Sequence, residues 1–559
     1  MKLTILGSAA MAMALTATSA SAVPADFKAQ ADALLTSAYS ETGPGAAVIV
    51  TDDGKIVYEA GRGLADIEAK RPITPATVFR MGSITKQFSA AIMLQLVDEG
   101  KVSLDDKVSK FLPDFPKPGA DATVAQLLNH TVGVQSYTGI PGWMVEANTN
   151  KAYTTDQMIA QFKDLPAPSK PGEKFDYNNS GYVLVGAVIE KATGKPWHQN
   201  VEERIAKPLG LTTIRYGTME GATPNMAAGY TEAEGKVAPA QKIHMSVPHA
   251  AGALIGSVED LAKWNTALHH GKIIPAALYA KMIAPTVLPG GATEQYGYGI
   301  APRELRGRAA IGHGGGIFGF STDSIYLPKD DIFVAVFANS DSPKTDPGMV
   351  LMKLAALAAG DPFPTFKSVA LDTKAVEPWV GVYKLKDAER RIFLRDGKLY
   401  TQRTGGGERE ALAAGNGQYF YADGLTWFEL KRDAKGTPVV AMYQQGAVIA
   451  EASVRGGPIP LEPKAAEVPR ETLQSYVGTY TSGIGVFTIA LPAEGPMTAQ
   501  LTGQQPIPLQ AVSATEFRTI GVDAQLVFQA DGGKVSGLVL QQGGREMPAK
   551  RTSPAPDAR

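Results

Sequence analysis

Phe79-Arg80-Met81-Gly82-Ser83-Ile84-Thr85-Lys86-Gln87-Phe88 contains the only S-x-x-K of the chain, formed by Ser83 and Lys86. Apolar residues recur after it at Ile84, Phe88, Ala91, Ile92, Leu96 and Val97. Steps of mostly three, four and seven predict a helix over 84–99 with one buried face. Ser83 then opens that helix, and Lys86 follows one turn along on the same side. A hydroxyl placed there is aimed by a rigid element, lies at the positive helix end and has an amine within reach. Taken alone the spacing is weak, since about one or two such matches arise by chance in a chain of this length. A serine capping a helix N-terminus is the bland alternative.

The surrounding sequence sets the class. The chain has 559 residues, 44% hydrophobic and 19% charged, which is globular composition with room for several cores. A formal net charge of −1 gives no basic excess for nucleic acid or an anionic membrane. The absence of cysteine excludes disulfides, thiol nucleophiles and thiolate metal sites. Lys2, an apolar run through Leu15 and Ala20-Ser21-Ala22 read as a secretory signal, residues 1–22, cleaved near Ala22. The expectation is a periplasmic or secreted protein with no membrane span in its mature form.

Residues 28–360 read as one mixed α/β domain. Strands are expected at 46–51 and 55–60, joined through Asp52-Asp53-Gly54, and again at 308–311, 317–326 and 332–338. Helices are expected at 84–99, 124–128, 155–164, 180–194, 258–270 and 347–359. Strands at both ends with helices between imply an antiparallel sheet built from the two chain ends, carrying an inserted helical cluster. Beyond Gly360-Asp361-Pro362-Phe363-Pro364 the pattern changes to short strands and turns. Trp379-Val380-Gly381-Val382-Tyr383 returns as Tyr476-Val477-Gly478-Thr479-Tyr480. Asp433-Ala434-Lys435-Gly436 before Met442-Tyr443-Gln444-Gln445-Gly446 matches Asp531-Gly532-Gly533 before Leu540-Gln541-Gln542-Gly543. Two copies of a small β-barrel domain are expected, at 371–457 and 470–551, with a linker at 456–463 and a disordered tail from Thr552.

A serine hydroxyl needs a base. No G-x-S-x-G elbow is present, so Lys86 is the candidate, provided that burial keeps it neutral. Two further clusters are compatible with that role. Tyr177 and Asn179 form the only Y-x-N, in a turn before a helix. A phenol beside an amine can share a proton, and the Asn179 amide can hold Lys86 or a substrate carbonyl; a core tyrosine followed by a cap is the alternative. His313-Gly314-Gly315-Gly316 lies between strands, where glycine lets another backbone approach closely. The Gly316 N–H, with that of Ser83, would suit an oxyanion. A dinucleotide-binding reading of Gly314, Gly316 and Gly319 fails, because a strand rather than a helix follows. His130 reads as a residue capping a turn near the site, and His269 and His270 as a helix end. No trusted metal-ligand spacing appears, and no cofactor is called for.

In this order and context, S-x-x-K, Y-x-N and H-x-G resemble the serine penicillin-recognising family, in its class C β-lactamase-like branch. Leu127-Leu128-Asn129-His130-Thr131-Val132-Gly133, Pro208-Leu209-Gly210-Leu211 and Ala251-Gly252-Ala253-Leu254 add to the likeness, which covers about residues 30–360. The resemblance implies a β-lactamase/transpeptidase-like catalytic domain followed by two small antiparallel β-barrels, as in D-aminopeptidases, where a barrel loop limits the active site. It implies Ser83 as the acylated nucleophile, Lys86 and Tyr177 sharing proton transfer, Asn179 orienting them, His313 in place of the family's third-motif lysine, and Gly315 and Gly316 at the oxyanion. A histidine there is less cationic than lysine, which favours peptide, amide or ester substrates over penicillins. Order and spacing are also similar to those of exported peptidases that cut linearised microcystin, so a linear peptide containing D-amino acids is one expected substrate. The alternatives are an esterase or weak β-lactamase on the same site, and a non-catalytic penicillin- or peptidoglycan-binding protein.

Overall fold

Strands from both ends of the catalytic region meet in one antiparallel sheet. In the computed structural model, which describes residues 23–459, 465–502, 504–531 and 534–554, β1 (Ala46–Asp52) and β2 (Lys55–Arg62) form a hairpin. Asp53 and Gly54 turn it with φ of 51° and 71°, the left-handed pair that matches strand twist. The sheet continues through β3 (Ala301–Leu305), β4 (Arg308–Gly312), β5 (Gly315–Ile317), β6 (Phe320–Leu327) and β7 (Ile332–Ala338). Its order is β3-β4-β6-β7-β1-β2, with β5 paired to β6. The proposed signal, linker residues 460–463 and Gly532-Gly533 lie outside the described residues.

Register assigns the two cores. Val48 faces Val336 and Val50 faces Val334 on one side; Ala47 faces Phe337 and Ile49 faces Ala335 on the other. Alternation therefore gives both faces apolar side chains, and both are covered. Helix α1 (Phe27–Ala38) covers the first with α5 (Pro347–Ala358) through Leu35, Leu351 and Leu354. Full burial of such a leucine contributes about 1.5–3 kcal/mol. The second face carries α2 (Thr85–Asp98), α3 (Asn179–Thr193) and α4 (Val258–His269).

Three local expectations change. Periodicity predicts one buried face for α2, yet Thr85 through Leu94 are all buried. The helix packs against α3 and the short helix His249–Gly252, and Phe88 stacks on Trp264 of α4 at 4.2 Å. The helix expected over 155–164 ends at Ala160 and gives way to irregular turns before Pro166, whose ring disfavours helical backbone at Leu165. The strand expected over 317–326 is two strands, broken at Phe318-Gly319. Gly319 has φ of 85°, and a Cβ there would stand 2.6 Å from the Gly229 Cα.

A separate unit begins at Pro364 and contains two closed eight-stranded antiparallel barrels. The first runs from Gly381–Lys384 to Glu451–Gly457, the second from Gly478–Ser482 to Arg545–Pro554. The repeated sequence has a repeated use: the Tyr383 hydroxyl donates to the Trp379 carbonyl and the Tyr480 hydroxyl to the Tyr476 carbonyl, both at 2.7 Å. Arg455 and Arg551 likewise donate to the Val380 and Val477 carbonyls, both at 2.7 Å. The last strand reaches Pro554, so Thr552 belongs to the barrel rather than to a tail; its hydroxyl bonds to the Thr479 carbonyl.

Candidate active site

Three elements bring the sequence clusters together. The short strand Phe79–Arg80 pairs with Leu254–Gly256 and runs into a 3₁₀ turn, Gly82–Ile84, that feeds α2. Gly82 takes φ of 53°, and a Cβ on it would lie 3.1 Å from the Gly316 nitrogen. The glycine thus allows β5 to lie against the serine turn. Gly315 does the same from the other side, since its Cβ would meet the Met81 carbonyl oxygen at 2.1 Å. The Thr322 hydroxyl ties the two segments by donating to the Met81 and Gly315 carbonyls at 3.0 and 3.2 Å.

Lys86 is fully buried. Its Nζ lies 3.0 Å from Ser83 Oγ, 2.9 Å from Asn179 Oδ1 and 2.8 Å from the Ala251 carbonyl oxygen. Burial holds its pKa well below the usual lysine value. Two of its neighbours are carbonyl oxygens that can only accept. A neutral amine gives them its two N–H groups and leaves its lone pair for the Ser83 hydroxyl. The Tyr177 phenol lies within interaction range of Ser83, and burial pushes it above the usual range. Although 38% of the residue's surface is exposed, its ring lies against Lys86, with Nζ 4.8 Å from the centroid.

Asn178 and Asn179 have different partners. Asn178 caps α3 through a bond from the Gly181 N–H to its Oδ1 at 2.9 Å. Asn179 Oδ1 accepts from Lys86, and its Nδ2 donates to the Thr138 hydroxyl at 3.2 Å. On β5, the pairing of Ile317 with Phe320 closes a two-residue hairpin. Alternation from that pair leaves the Gly316 N–H on the free edge of the strand. Ser83 lies in the first turn of its helix, where N–H groups have no intrahelical acceptor.

His313 is placed differently from its neighbours in the motif. It is buried, and its Nδ1 faces the Gly314 carbonyl, an acceptor only, which assigns the proton to Nδ1. Nε2 then accepts from the Tyr296 hydroxyl at 2.8 Å. Burial, with the charge of Lys86 second, holds its pKa down to about 3. Both ring nitrogens are engaged, by Tyr296 and by the Gly314 carbonyl, so His313 is a neutral anchor for the β5 approach.

Sequence reasoning missed Tyr296 altogether and put His130 in a turn near the site without its partners. His130 is fully buried with φ of 61°. Its Nδ1 accepts from the Asn178 N–H at 3.0 Å, and its ring packs 4.2 Å from that of Tyr177 and 4.6 Å from that of Tyr296. A histidine 47 residues before Tyr177 carries no local signal of that contact.

Above these groups lies a cleft of about 450 Å³. Ser83 and Asn179 form part of its wall, and Met144, Ile243, Ile317 and Phe318 make it largely apolar. Among the described residues that line it, Asp341 is the one charged side chain.

This geometry is that of a serine-hydrolase family. The Beta-lactamase family model matches residues 31–358, and the chain belongs to that family. It is 27% identical over 337 residues to a D-aminopeptidase of Gluconobacter oxydans, covering 59% of this chain and 62% of that protein. It is also 27% identical to penicillin-binding protein 4* of Bacillus subtilis, over 64% of this chain and 83% of that protein. Among solved structures, a D-amino acid amidase from Ochrobactrum anthropi SV3, complexed with D-phenylalanine, aligns with a TM-score of 0.52 and 26% identity. That alignment covers 60% of this chain and 97% of the amidase. An octameric penicillin-binding protein homologue from Pyrococcus abyssi aligns at 0.52 and 25%, over 77% and 99% of the two chains. The expected β-lactamase-like catalytic domain and paired β-barrels are both present. No helix among the described residues is long and apolar enough to cross a membrane.

Proposed function

We propose that this protein is an exported serine hydrolase, acting in the periplasm or outside the cell, that cleaves a peptide or amide bond through an acyl-enzyme on Ser83. The observation that carries the reading is the buried Lys86 amine, held by two carbonyl acceptors with Ser83 Oγ as its third neighbour. Ser83 Oγ bonds to the substrate carbonyl carbon while its proton passes to Lys86. The N–H groups of Ser83 and Gly316 receive the oxyanion. Collapse breaks the C–N bond, and the Tyr177 phenol gives its proton to the departing amine. Water then attacks the ester, yielding its proton through Tyr177 and Lys86, and Ser83 is released. The raised phenol and the lowered amine divide the work: Lys86 is the base of the free enzyme and Tyr177 the acid.

The substrate class proposed is a small linear peptide or amide with a D-residue on the acyl side. D-aminopeptidase and D-amino acid amidase relatives support it, and linearised microcystin is one peptide to be tested. Esters are the second reading on the same site, favoured by the apolar cleft. Penicillin turnover is disfavoured because His313 is neutral and the described residues that line the cleft include no arginine. The test is a panel of D- and L-amino acid amides, linear peptides, p-nitrophenyl acetate and nitrocefin on purified protein, with mass spectrometry of Ser83. A fluorophosphonate adduct on Ser83 without turnover of any substrate would instead support a non-catalytic binding protein.

A further inference from the structure

Of the two carbonyls that orient Lys86, Asn179 Oδ1 belongs to the first turn of α3, whereas the Ala251 carbonyl belongs to the short helix His249–Gly252. His249 starts that helix with φ of 45°. A residue other than glycine rarely adopts this backbone unless its surroundings over-determine it. The surroundings here are specific. Gly186 of α3 leaves a slot for the imidazole: a Cβ on Gly186 would stand 2.5 Å from His249 Cε1 and 2.7 Å from Nδ1. The ring also packs on Trp197 at 5.3 Å, and its Nε2 lies 3.1 Å from the Thr155 hydroxyl and 3.8 Å from Glu190 Oε1. Immediately after this turn, the Ala250 carbonyl accepts from Ser89 Oγ and the Ala251 carbonyl from Lys86 Nζ, both at 2.8 Å.

We infer that His249, wedged against Gly186, is a positioning residue for acylation: it sets the left-handed turn that aims the Ala251 carbonyl at Lys86. One helix, α3, then fixes both acceptors on the amine, Asn179 directly and Ala251 through the imidazole slot. The inference rests on Lys86 being the base of the proposed reaction. With both acceptors in place, the amine has one direction left for its lone pair, toward Ser83. Releasing the Ala251 carbonyl frees an N–H and lets the lone pair swing away from the hydroxyl.

Burst kinetics with p-nitrophenyl acetate on the full chain test this, with fluorophosphonate labelling of Ser83 in the wild type as the prior control. His249→Ala and Gly186→Ala are each expected to slow acylation about 10- to 100-fold, with KM changed less than about threefold, as small misplacement does. The acid limb of the acylation rate should move to lower pH, because the ammonium form loses more than the amine when an acceptor leaves. His249→Asn, which accepts a left-handed backbone more readily than alanine, should recover part of the rate. Thr155→Val removes the hydroxyl that meets Nε2 and Glu190 and should give a smaller loss of the same kind; it and Gly186→Ala carry the test if His249→Ala does not fold. Unchanged acylation and an unmoved acid limb in Gly186→Ala and Thr155→Val, or in a folded His249→Ala, would overturn the inference. A wild-type protein that takes no label on Ser83 would overturn the acyl-enzyme reading beneath it.

Discussion

Replacing Lys86 by methionine separates its chemical role from its packing. Methionine has nearly the same length, fills the fully buried site and carries no proton. Two carbonyl acceptors, Asn179 Oδ1 and the Ala251 oxygen, then lose their donor. The Ala251 oxygen is the buried one, and leaving it unsatisfied costs about 1–3 kcal/mol, whereas Asn179 lines the cleft. Against this, the desolvation that lowers the Lys86 pKa disappears. The net change in stability should therefore be small, within about 2 kcal/mol. The rate should fall far more, by about 10²–10⁴-fold, the usual contribution of a positioned base. The pH profile decides between the explanations. In the wild type, activity needs the amine neutral, so it is lost as pH falls through the Lys86 pKa, which lies well below 10.5. In Lys86→Met that acid limb should vanish from the residual rate. The assay is steady-state hydrolysis of a chromogenic amide from pH 5 to 11, with thermal melting as the folding control. Turnover within about tenfold of wild type, or the same acid limb without the lysine, would refute the assignment of the base.

Ser83→Ala should fold normally and lose both turnover and the fluorophosphonate adduct, read by intact mass. Tyr177→Phe should cost about 10²–10⁴ on amides and less on p-nitrophenyl acetate, whose leaving group needs no proton; equal losses on both would argue against its role as acid. On the alkaline side, activity should persist to above pH 10, because burial raises the Tyr177 phenol from 10.0; a limb near pH 4 or below would be the only place for His313, held to about 3. His313→Lys restores the residue type usual in the family motif, yet both ring nitrogens are engaged in a buried site. It should destabilise the catalytic unit by several kcal/mol without increasing nitrocefin hydrolysis; a stable, faster variant would contradict the placement of His313.

Much of the catalytic unit is legible locally. The β1–β2 hairpin is written in Asp52-Asp53-Gly54, because two left-handed residues suit a tight turn. Helix α3 is bounded by the Asn178 cap and by Gly194 in the left-handed region. The barrel repeat is legible because one tyrosine makes the same bond in each copy. The Phe318-Gly319 break was not, since the close approach of Gly229 that requires it comes from 90 residues earlier in the chain. Likewise, α2 reads as amphipathic because periodicity reports one preferred face, whereas α3 and two shorter helices, His249–Gly252 and Trp197–Val201, pack against it.

The sequence by itself determined the groups available for chemistry: one S-x-x-K at a helix start, one Y-x-N before a helix, and glycines where a strand had to approach. Those are short-range facts of residue type and spacing. Only the tertiary structure decided how those groups are buried and bonded. Burial lowers the Lys86 amine and raises the Tyr177 phenol, and the Ala251 carbonyl, 165 residues from Lys86, accepts from that amine. His313, which the resemblance put in place of the third-motif lysine, has its ring nitrogens engaged by Tyr296 and the Gly314 carbonyl. Desolvation and hydrogen-bond direction depend on what packs around a group from every side, and no window of sequence contains that.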